Sequence, residues 1–199
     1  MVNELWLPEG HHWDLHIEHR KSTNNAGKFT GGGWKWVLHT TEGGSYDSNC
    51  VLLRQVNTPH LVFGVAPGNE HWSVAQLLPF NVAGKTLQND SGDGYQTNRA
   101  NAIQMEIVGF TSQVPNWTDL MYKRLANLFV LIQHRVNIPT KAPWDFSNPQ
   151  RASDAEWVKA EGVVGHVHAP DNDHGDPARF AEGKFIDLVK NIPDGGYQL

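Results

Sequence analysis

The sequence predicts one α/β domain, in which strands and helices are layered around a single core. Segments with the period of a strand alternate along the chain with segments that have the period of a helix. No internal repeat and no linker-like stretch divides the sequence. Its 199 residues are enough for one domain with a substantial core and too few for two domains of ordinary size.

Residues 1–33 are predicted to form an irregular leader packed on this domain, which itself spans residues 34–199. Gly, Pro, Asn, Ser and Thr interrupt every periodic run of the leader. Four of its histidines have spacings that a short helix would place on one face: His11, His12, His16 and His19. Such a face could bind a metal ion, but we favour a solvated segment that wraps around the fold.

The spacing of apolar residues predicts the elements of the domain. Strands are expected at residues 34–39, 60–65, 73–79, 102–109 and 163–164, and helices at residues 45–57, 118–137 and 180–192. The first helix is expected to turn Val51, Leu52 and Val56 toward the core, with Cys50 as a small apolar filler. The second and third strands form a hairpin-like pair. Residues 141–161 are predicted to be loop-like, and the long loop at residues 80–101 is expected to border a functional site.

Composition excludes several classes of function. The chain has 39% hydrophobic and 19% charged residues, and its formal charge at pH 7 is -5. This balance is typical of a soluble globular protein and argues against a broad basic surface for nucleic acid or an anionic membrane. Cys50 is the only cysteine, so neither an intrachain disulfide nor a cysteine-based zinc site can form. The sequence shows no export signal, and no run approaches ~18 apolar residues, so no membrane span is expected.

Metal-binding side chains are concentrated in residues 165–177. This segment holds three histidines and three aspartates between glycines and prolines: His166, His168, His174, Asp171, Asp173 and Asp176. Neutral imidazole and carboxylate are suitable ligands for Zn²⁺, and a catalytic zinc needs three protein ligands and one open position. The segment could supply two ligands. The best candidate for the third is His39, at the end of the first predicted strand.

A single carboxylate, Glu106, lies inside the apolar strand at residues 102–109. Burial of a carboxylate is costly unless the group has a partner or a function. Two interpretations therefore stay open. Glu106 acts in catalysis, or it is a structural residue paired with a base such as Arg99.

The order of these features resembles a family, the zinc-dependent N-acetylmuramoyl-L-alanine amidases related to peptidoglycan recognition proteins, which include many phage endolysins. Three motifs carry the resemblance: Trp36-Val37-Leu38-His39-Thr40-Thr41, the strand from Ala102 to Gly109, and Gly165-His166 followed by Asp176-Pro177. It covers the chain from about Trp34 to the C-terminal helix. It implies a central mixed β-sheet flanked by helices.

The resemblance also implies a role for each candidate residue. His39, His166 and Asp176 would hold one zinc ion, and Glu106 would be the base that takes a proton from the attacking water. The family often has a lysine that stabilises the oxyanion two positions before the last ligand. This sequence has His174 there, which could donate a hydrogen bond instead.

Other positions near these motifs depart from the family pattern or leave two interpretations open. A catalytic tyrosine of some phage members has no counterpart here. His60 and His168 are candidates for the cleft, with a structural role for His60 and a place beside the ligands for His168 as alternatives. Asp171 and Asp173 are expected to be solvated loop residues.

The implied activity is hydrolysis of the amide between N-acetylmuramic acid and L-alanine in bacterial peptidoglycan. Zn²⁺ is the expected cofactor, peptidoglycan is the expected partner, and a monomer is the expected form. Neither nucleic acid nor a membrane is expected as a partner. Such an endolysin would be made in the host cytoplasm without a signal peptide and would act at the bacterial cell wall.

Parts of the sequence also fit two other functions. A non-catalytic peptidoglycan-binding module could share the fold, because a fold does not fix an activity, but binding-only relatives typically lack a ligand that this chain has. A dinuclear metallophosphoesterase is suggested by three fragments: Asp14-Leu15-His16, Gly68-Asn69-Glu70-His71 and Gly165-His166-Val167-His168. The Gly-Asp-x-x-Asp motif that such enzymes also need is missing.

Overall fold

A computed structural model describes residues 5–68, 71–88, 96–193 and 196. Its strands are β1 (Gly10–His12), β2 (Leu15–His19), β3 (Lys35–Thr40), β4 (Leu61–Val65), β5 (Trp72–Gln76), β6 (Ala102–Ile107) and β7 (Gly162–Gly165). Its α-helices are α1 (Tyr46–Leu53), α2 (Asp119–Gln133), α3 (Asp154–Lys159) and α4 (Glu182–Lys190).

One mixed sheet forms the centre of the described chain. Its strand order is β1-β2-β5-β4-β6-β3-β7. Three neighbouring pairs are parallel: β4 with β6, β6 with β3, and β3 with β7. The strands β4 and β5 are antiparallel, as a hairpin-like pair requires. The predicted fold class, a central mixed sheet flanked by helices, is confirmed.

The main core lies between the sheet and the helices α2 and α4. Trp36 of β3 stacks on Phe129 of α2 with 5.2 Å between the ring centroids, and Phe185 of α4 lies 5.9 Å from the same ring. Burial of each side chain of this size stabilises the fold by about 1.5–3 kcal/mol. α2 begins where the sequence predicts, because the side chain of Thr118 accepts a hydrogen bond from the N–H of Met121 and caps the helix.

The prediction of an irregular leader is wrong for residues 10–19. β1 and β2 pair antiparallel, and β2 then adds to the sheet parallel to β5. Leu15 and Ile17 are buried and alternate with polar residues, which is the period of a strand. The histidines therefore lie on strands rather than on a helix. Residues 141–161 also contain the short helix α3.

The core-facing prediction for α1 is wrong for its apolar residues. Val51 is 56% exposed and Leu52 is 57% exposed, and Val56 lies beyond the helix end and is also exposed. The helix packs on the sheet through Tyr46 and Cys50 instead, which are four residues apart and share one face. Burial raises the pKa of the Cys50 thiol to about 12, as expected for an inert filler.

No helix in the described residues combines the length and the apolar character that crossing a bilayer requires.

Candidate metal centre and active site

The parallel strands β6, β3 and β7 bring the candidate residues to one edge of the sheet. His39 on β3 is directly opposite Glu106 on β6 in the strand register. His166 follows the last residue of β7, which pairs with β3 on its other side. Because these strands run in the same direction, their carboxyl ends meet at this edge. The sheet therefore places three distant parts of the sequence side by side.

His39, His166 and Asp176 form a compact group of metal-binding side chains. One ligand atom from each lies within 4.8 Å of the others, and all three residues are buried. The Nδ1 atom of His166 lies 3.3 Å from Oδ1 of Asp176, and the Nδ1 atom of His39 lies 4.0 Å from Oδ2. Ligands about 2.1 Å from a tetrahedral zinc ion are about 3.4 Å apart. The donor types and their spacing fit such an ion.

One unpartnered atom also fits a bound cation. Among the described residues, Oε2 of Glu106 has no hydrogen-bond partner, although the atom is buried. Most buried polar side-chain atoms are paired, and an unpaired one costs about 1–3 kcal/mol. Glu106 lines the same cleft as His166 and Asp176. A positive ion beside it would compensate part of that cost.

The protonation states of the ligands suit metal binding. Burial, reinforced by the neighbouring His166, lowers the pKa of His39 well below its usual value, so its ring is neutral. Burial alone would raise the pKa of Asp176, but the hydrogen bond with His166, the nearby His39 and the N–H of Thr40 together lower it to about 2. A neutral imidazole and an ionised carboxylate are the forms that coordinate a metal.

Glu106 is the buried carboxylate beside this group. Its Oε1 atom lies 3.9 Å from Nδ1 of His39. Burial raises its pKa to about 8, and the negative charges of Asp176 and Glu42 add to the effect. The alternative pairing with Arg99 is not found: within the described residues no salt bridge joins Glu106 to an arginine, and the Nε–H of Arg99 donates to the carbonyl of Lys28 at 2.7 Å.

His174 lies at the entrance of the group. Its ring stacks on that of His166 with 4.4 Å between centroids, and its Nδ1 atom lies 3.6 Å from Oδ1 of Asp176. Its side chain is 55% exposed and lines the cleft. Asn172 holds the loop in place, since its Oδ1 atom accepts hydrogen bonds from the N–H of His174 and from Arg151.

His60 and His168 are not cleft residues. Both are fully buried, and each accepts a backbone N–H at Nδ1 and pairs its Nε2 atom with a backbone carbonyl. For His60 the partners are Gln104 and Val82, at 2.9 and 2.8 Å. The two rings therefore brace the backbone. Sequence alone could not separate this role from a place in the cleft, because the partners are distant backbone groups.

The fragments that suggest a metallophosphoesterase do not come together. Asp14 precedes β2, which is separated from β3 by three strands of the sheet, and its carboxylate pairs with Arg124. Asn69 and Glu70 lie outside the described residues. Asp173 is exposed, as expected for a solvated loop residue, whereas Asp171 is only partly exposed.

A cleft of about 260 Å³ opens over the metal-binding group. Its walls include side chains that were not predicted as site residues: Thr40, Glu42, Asn49, Leu52, Leu53, Asn57 and Thr86. Thr86 belongs to the loop at residues 80–101, which was expected to border a site. Most of the others belong to α1 and its flanks, and their exposed apolar side chains are explained in part by their place at the cleft.

Comparison with solved structures gives a consistent result for the fold. The chain superposes on AmpD with a TM-score of 0.58 and 16% identity, covering 95% of this chain and 99% of AmpD. It superposes on PlyL with a TM-score of 0.53 and 12% identity, covering 92% of this chain and 99% of PlyL. This chain has the fold of AmpD and PlyL. A mutant endolysin from Bacillus subtilis shares it, with a TM-score of 0.52, 16% identity and coverage of 88% and 99%.

The AmpD and PlyL fold confirms the fold that the family resemblance implies. No family profile matches the sequence, and the comparison with curated proteins gives no match either. At identities this low the similarity is one of fold, so the chemistry has to be argued from the side chains of the site.

Proposed function

We propose that the protein is a zinc-dependent amidase that cleaves the bond between N-acetylmuramic acid and L-alanine in bacterial peptidoglycan. One observation carries the proposal. A buried group of two histidines and one aspartate lies beside a buried glutamate, at the floor of an open cleft. This combination is suited to the hydrolysis of an unactivated amide, which needs both a Lewis acid and a base.

In this proposal His39, His166 and Asp176 hold the zinc ion. The chemistry that zinc supplies at such a site is polarisation of the scissile carbonyl and activation of water. Glu106 accepts the proton of the attacking water at its carboxylate and later delivers it to the leaving amine.

His174 is proposed to donate a hydrogen bond to the oxyanion that forms on the carbonyl. Its exposed ring lies at the cleft entrance and can reach a bound substrate, while its stacking on His166 limits its orientations. Donors placed where negative charge develops lower the barrier of acyl transfer. The proposed substrate belongs to the bacterial cell wall, so we place the action of the protein there, in the manner of an endolysin.

The test is to digest purified peptidoglycan and to identify the new chain ends by mass spectrometry. The proposal expects free lactyl carboxylates on the muramic acid and new L-alanine amines on the stem peptides. New reducing sugar ends would assign a glycosidase instead. Wall material that binds the protein and stays intact would identify a binding module.

A further inference from the structure

His39 has a hydrogen-bond partner on the side of its ring away from the metal-binding group. Its Nε2 atom lies 3.2 Å from the hydroxyl of Thr86, while its Nδ1 atom faces Asp176. The hydroxyl could either donate to Nε2 or accept from it. The two cases give opposite tautomers of the ring, and only one leaves the lone pair of Nδ1 free for a metal ion.

The direction of this hydrogen bond is set by a chain that begins at a backbone group. The N–H of Leu87 donates to Oδ1 of Asn98 at 3.0 Å, and Nδ2 of Asn98 donates to the carbonyl of Leu87 at 2.7 Å. A backbone N–H can only donate and a carbonyl can only accept. The amide of Asn98 therefore has one allowed orientation.

The side chain of Gln104 is oriented next. Its Nε2 atom donates to Oδ1 of Asn98 at 2.8 Å, because that oxygen is an acceptor. Its Oε1 atom accepts the backbone N–H of Thr86 at 2.9 Å, which fixes the same orientation independently. Both Asn98 and Gln104 are buried, so water does not compete for these bonds.

The hydroxyl of Thr86 comes last in the chain. It is hydrogen-bonded to Oε1 of Gln104, and since that oxygen can only accept, the hydroxyl proton points to Gln104. A lone pair of the hydroxyl is then directed to Nε2 of His39. The ring must therefore carry its proton at Nε2.

We infer that Thr86, oriented by Gln104 and Asn98, is a positioning residue that holds His39 as the Nε2–H tautomer and so presents the Nδ1 lone pair to the metal. The inference deepens the proposed function and rests on its metal site. A carboxylate or carbonyl is the usual second partner of a metal-binding histidine. Here a hydroxyl performs that task, because the amide chain behind it dictates its direction.

Nitrogen NMR of the metal-free protein with ¹⁵N-labelled histidine tests the tautomer directly. The expected result is a His39 ring protonated at Nε2 in the wild type. In Gln104→Met the acceptor for the Thr86 hydroxyl is gone, so the hydroxyl turns to donate to His39 and the Nδ1–H form becomes populated. A wild-type ring protonated at Nδ1 would overturn the inference.

Metal affinity is the second readout, measured as Zn²⁺ affinity by chelator competition. Thr86→Val keeps the shape of the side chain and removes the acceptor, so we expect the affinity to fall by about 10–100-fold. Thr86→Ser restores the hydroxyl and should restore most of the affinity. Thr97→Val is the matched control, because the buried Thr97 hydroxyl has no hydrogen-bond partner in the part of the chain described.

Unchanged affinity in Thr86→Val, with the wild-type tautomer retained, would refute the role of Thr86. The NMR result does not depend on the substrate. A protein inactive on peptidoglycan that still shows the tautomer switch in Gln104→Met would contradict the proposed function and leave the inference standing. Cleavage of the amide between N-acetylmuramic acid and L-alanine, without a tautomer change in Gln104→Met, would support the proposed function and contradict the inference.

Discussion

Glu106 and His39 lie opposite each other on adjacent parallel strands, with 3.9 Å between Oε1 of the carboxylate and Nδ1 of the ring. The carboxylate is therefore next to the metal-binding group without belonging to its three ligand residues. A base in this position can reach a water molecule at the metal without displacing a ligand. The pairing in the sheet register fixes this relationship, because both backbones are buried and hydrogen-bonded.

Replacement of Glu106 separates its role from that of the ligands. Glu106→Gln keeps the size of the side chain and removes the base, so the rate of peptidoglycan hydrolysis should fall by about 10²–10⁴-fold. Zinc content by elemental analysis and the thermal midpoint should stay close to the wild type. A loss of activity that follows a loss of stability would instead assign a structural role to Glu106.

Removal of any one ligand should remove the metal. His39→Ala, His166→Ala and Asp176→Ala each leave two protein ligands, too few to hold zinc well, so each variant should fall from about one zinc per chain toward none. Elemental analysis after dialysis measures this. His16→Ala is a suitable control, since His16 lies on β2, far from β3 in the sheet order. Zinc lost from His16→Ala and retained in His39→Ala would contradict the site.

His174 should affect the rate without affecting the metal. If its ring donates to the oxyanion, His174→Ala lowers the rate by about 10²–10³-fold and keeps the zinc. His174→Lys offers a charged donor and should recover part of the activity. Loss of zinc in His174→Ala, with zinc kept in Asp176→Ala, would move the ligand assignment by two residues.

The site could be predicted from the sequence where a metal-binding or acidic side chain lies in an apolar segment with the pattern of a strand. His39 ends the apolar run that becomes β3 and Glu106 lies within the run that becomes β6, so their meeting at one sheet edge follows from parallel pairing. The fold could not be predicted where polar residues outnumber the apolar ones, because the two-residue alternation of a strand is then not visible. In β1 and β2 the histidines alternate with only two buried apolar residues, Leu15 and Ile17, too few to distinguish a strand from a loop.

Long-range hydrogen bonds explain the remaining differences. His60 looked equally suited to the cleft and to the core, and only its backbone partners on β6 and in the loop decide for the core. Thr86 carried no signal at all in the sequence. Its position beside His39 depends on the loop at residues 80–101 being tied to β6 through Gln104, a contact between segments 18 residues apart.

Lys35 gives a pH dependence of stability that is independent of the active site. It lies at the start of β3, its side chain is fully buried, and its Nζ atom donates to the carbonyls of Gly33 and Ala100 at 2.8 and 2.5 Å. Glu161, the one acidic residue that raises its pKa, is paired with Lys141 in the described structure. Burial lowers the pKa of Lys35 from 10.5 to about 7.

The sign of the effect follows from proton binding. Below pH 7 both the folded and the unfolded chain hold the proton on Lys35, and the folded state bears the full cost of burying the charge. Between pH 7 and 10.5 the folded state releases the proton while the unfolded state keeps it, so this residue makes the protein more stable as the pH rises. The slope from one such group is at most about 1.4 kcal/mol per pH unit.

Lys35→Met should remove this slope. Urea unfolding of both proteins between pH 6 and 8.5 gives the difference in the free energy of unfolding, which should shift in favour of the wild type as the pH rises above 7. Loss of the two hydrogen bonds to carbonyls adds a cost to the variant that does not depend on pH, so the slope and not the offset is the test. Lys190→Met, at an exposed lysine at the end of α4, is the control and should show no such slope. If the difference in the free energy of unfolding between wild type and Lys35→Met is constant across this range, Lys35 keeps its proton in the folded protein. Its two carbonyl partners and the face of the Trp157 ring, 5.3 Å from Nζ, would then stabilise the buried charge.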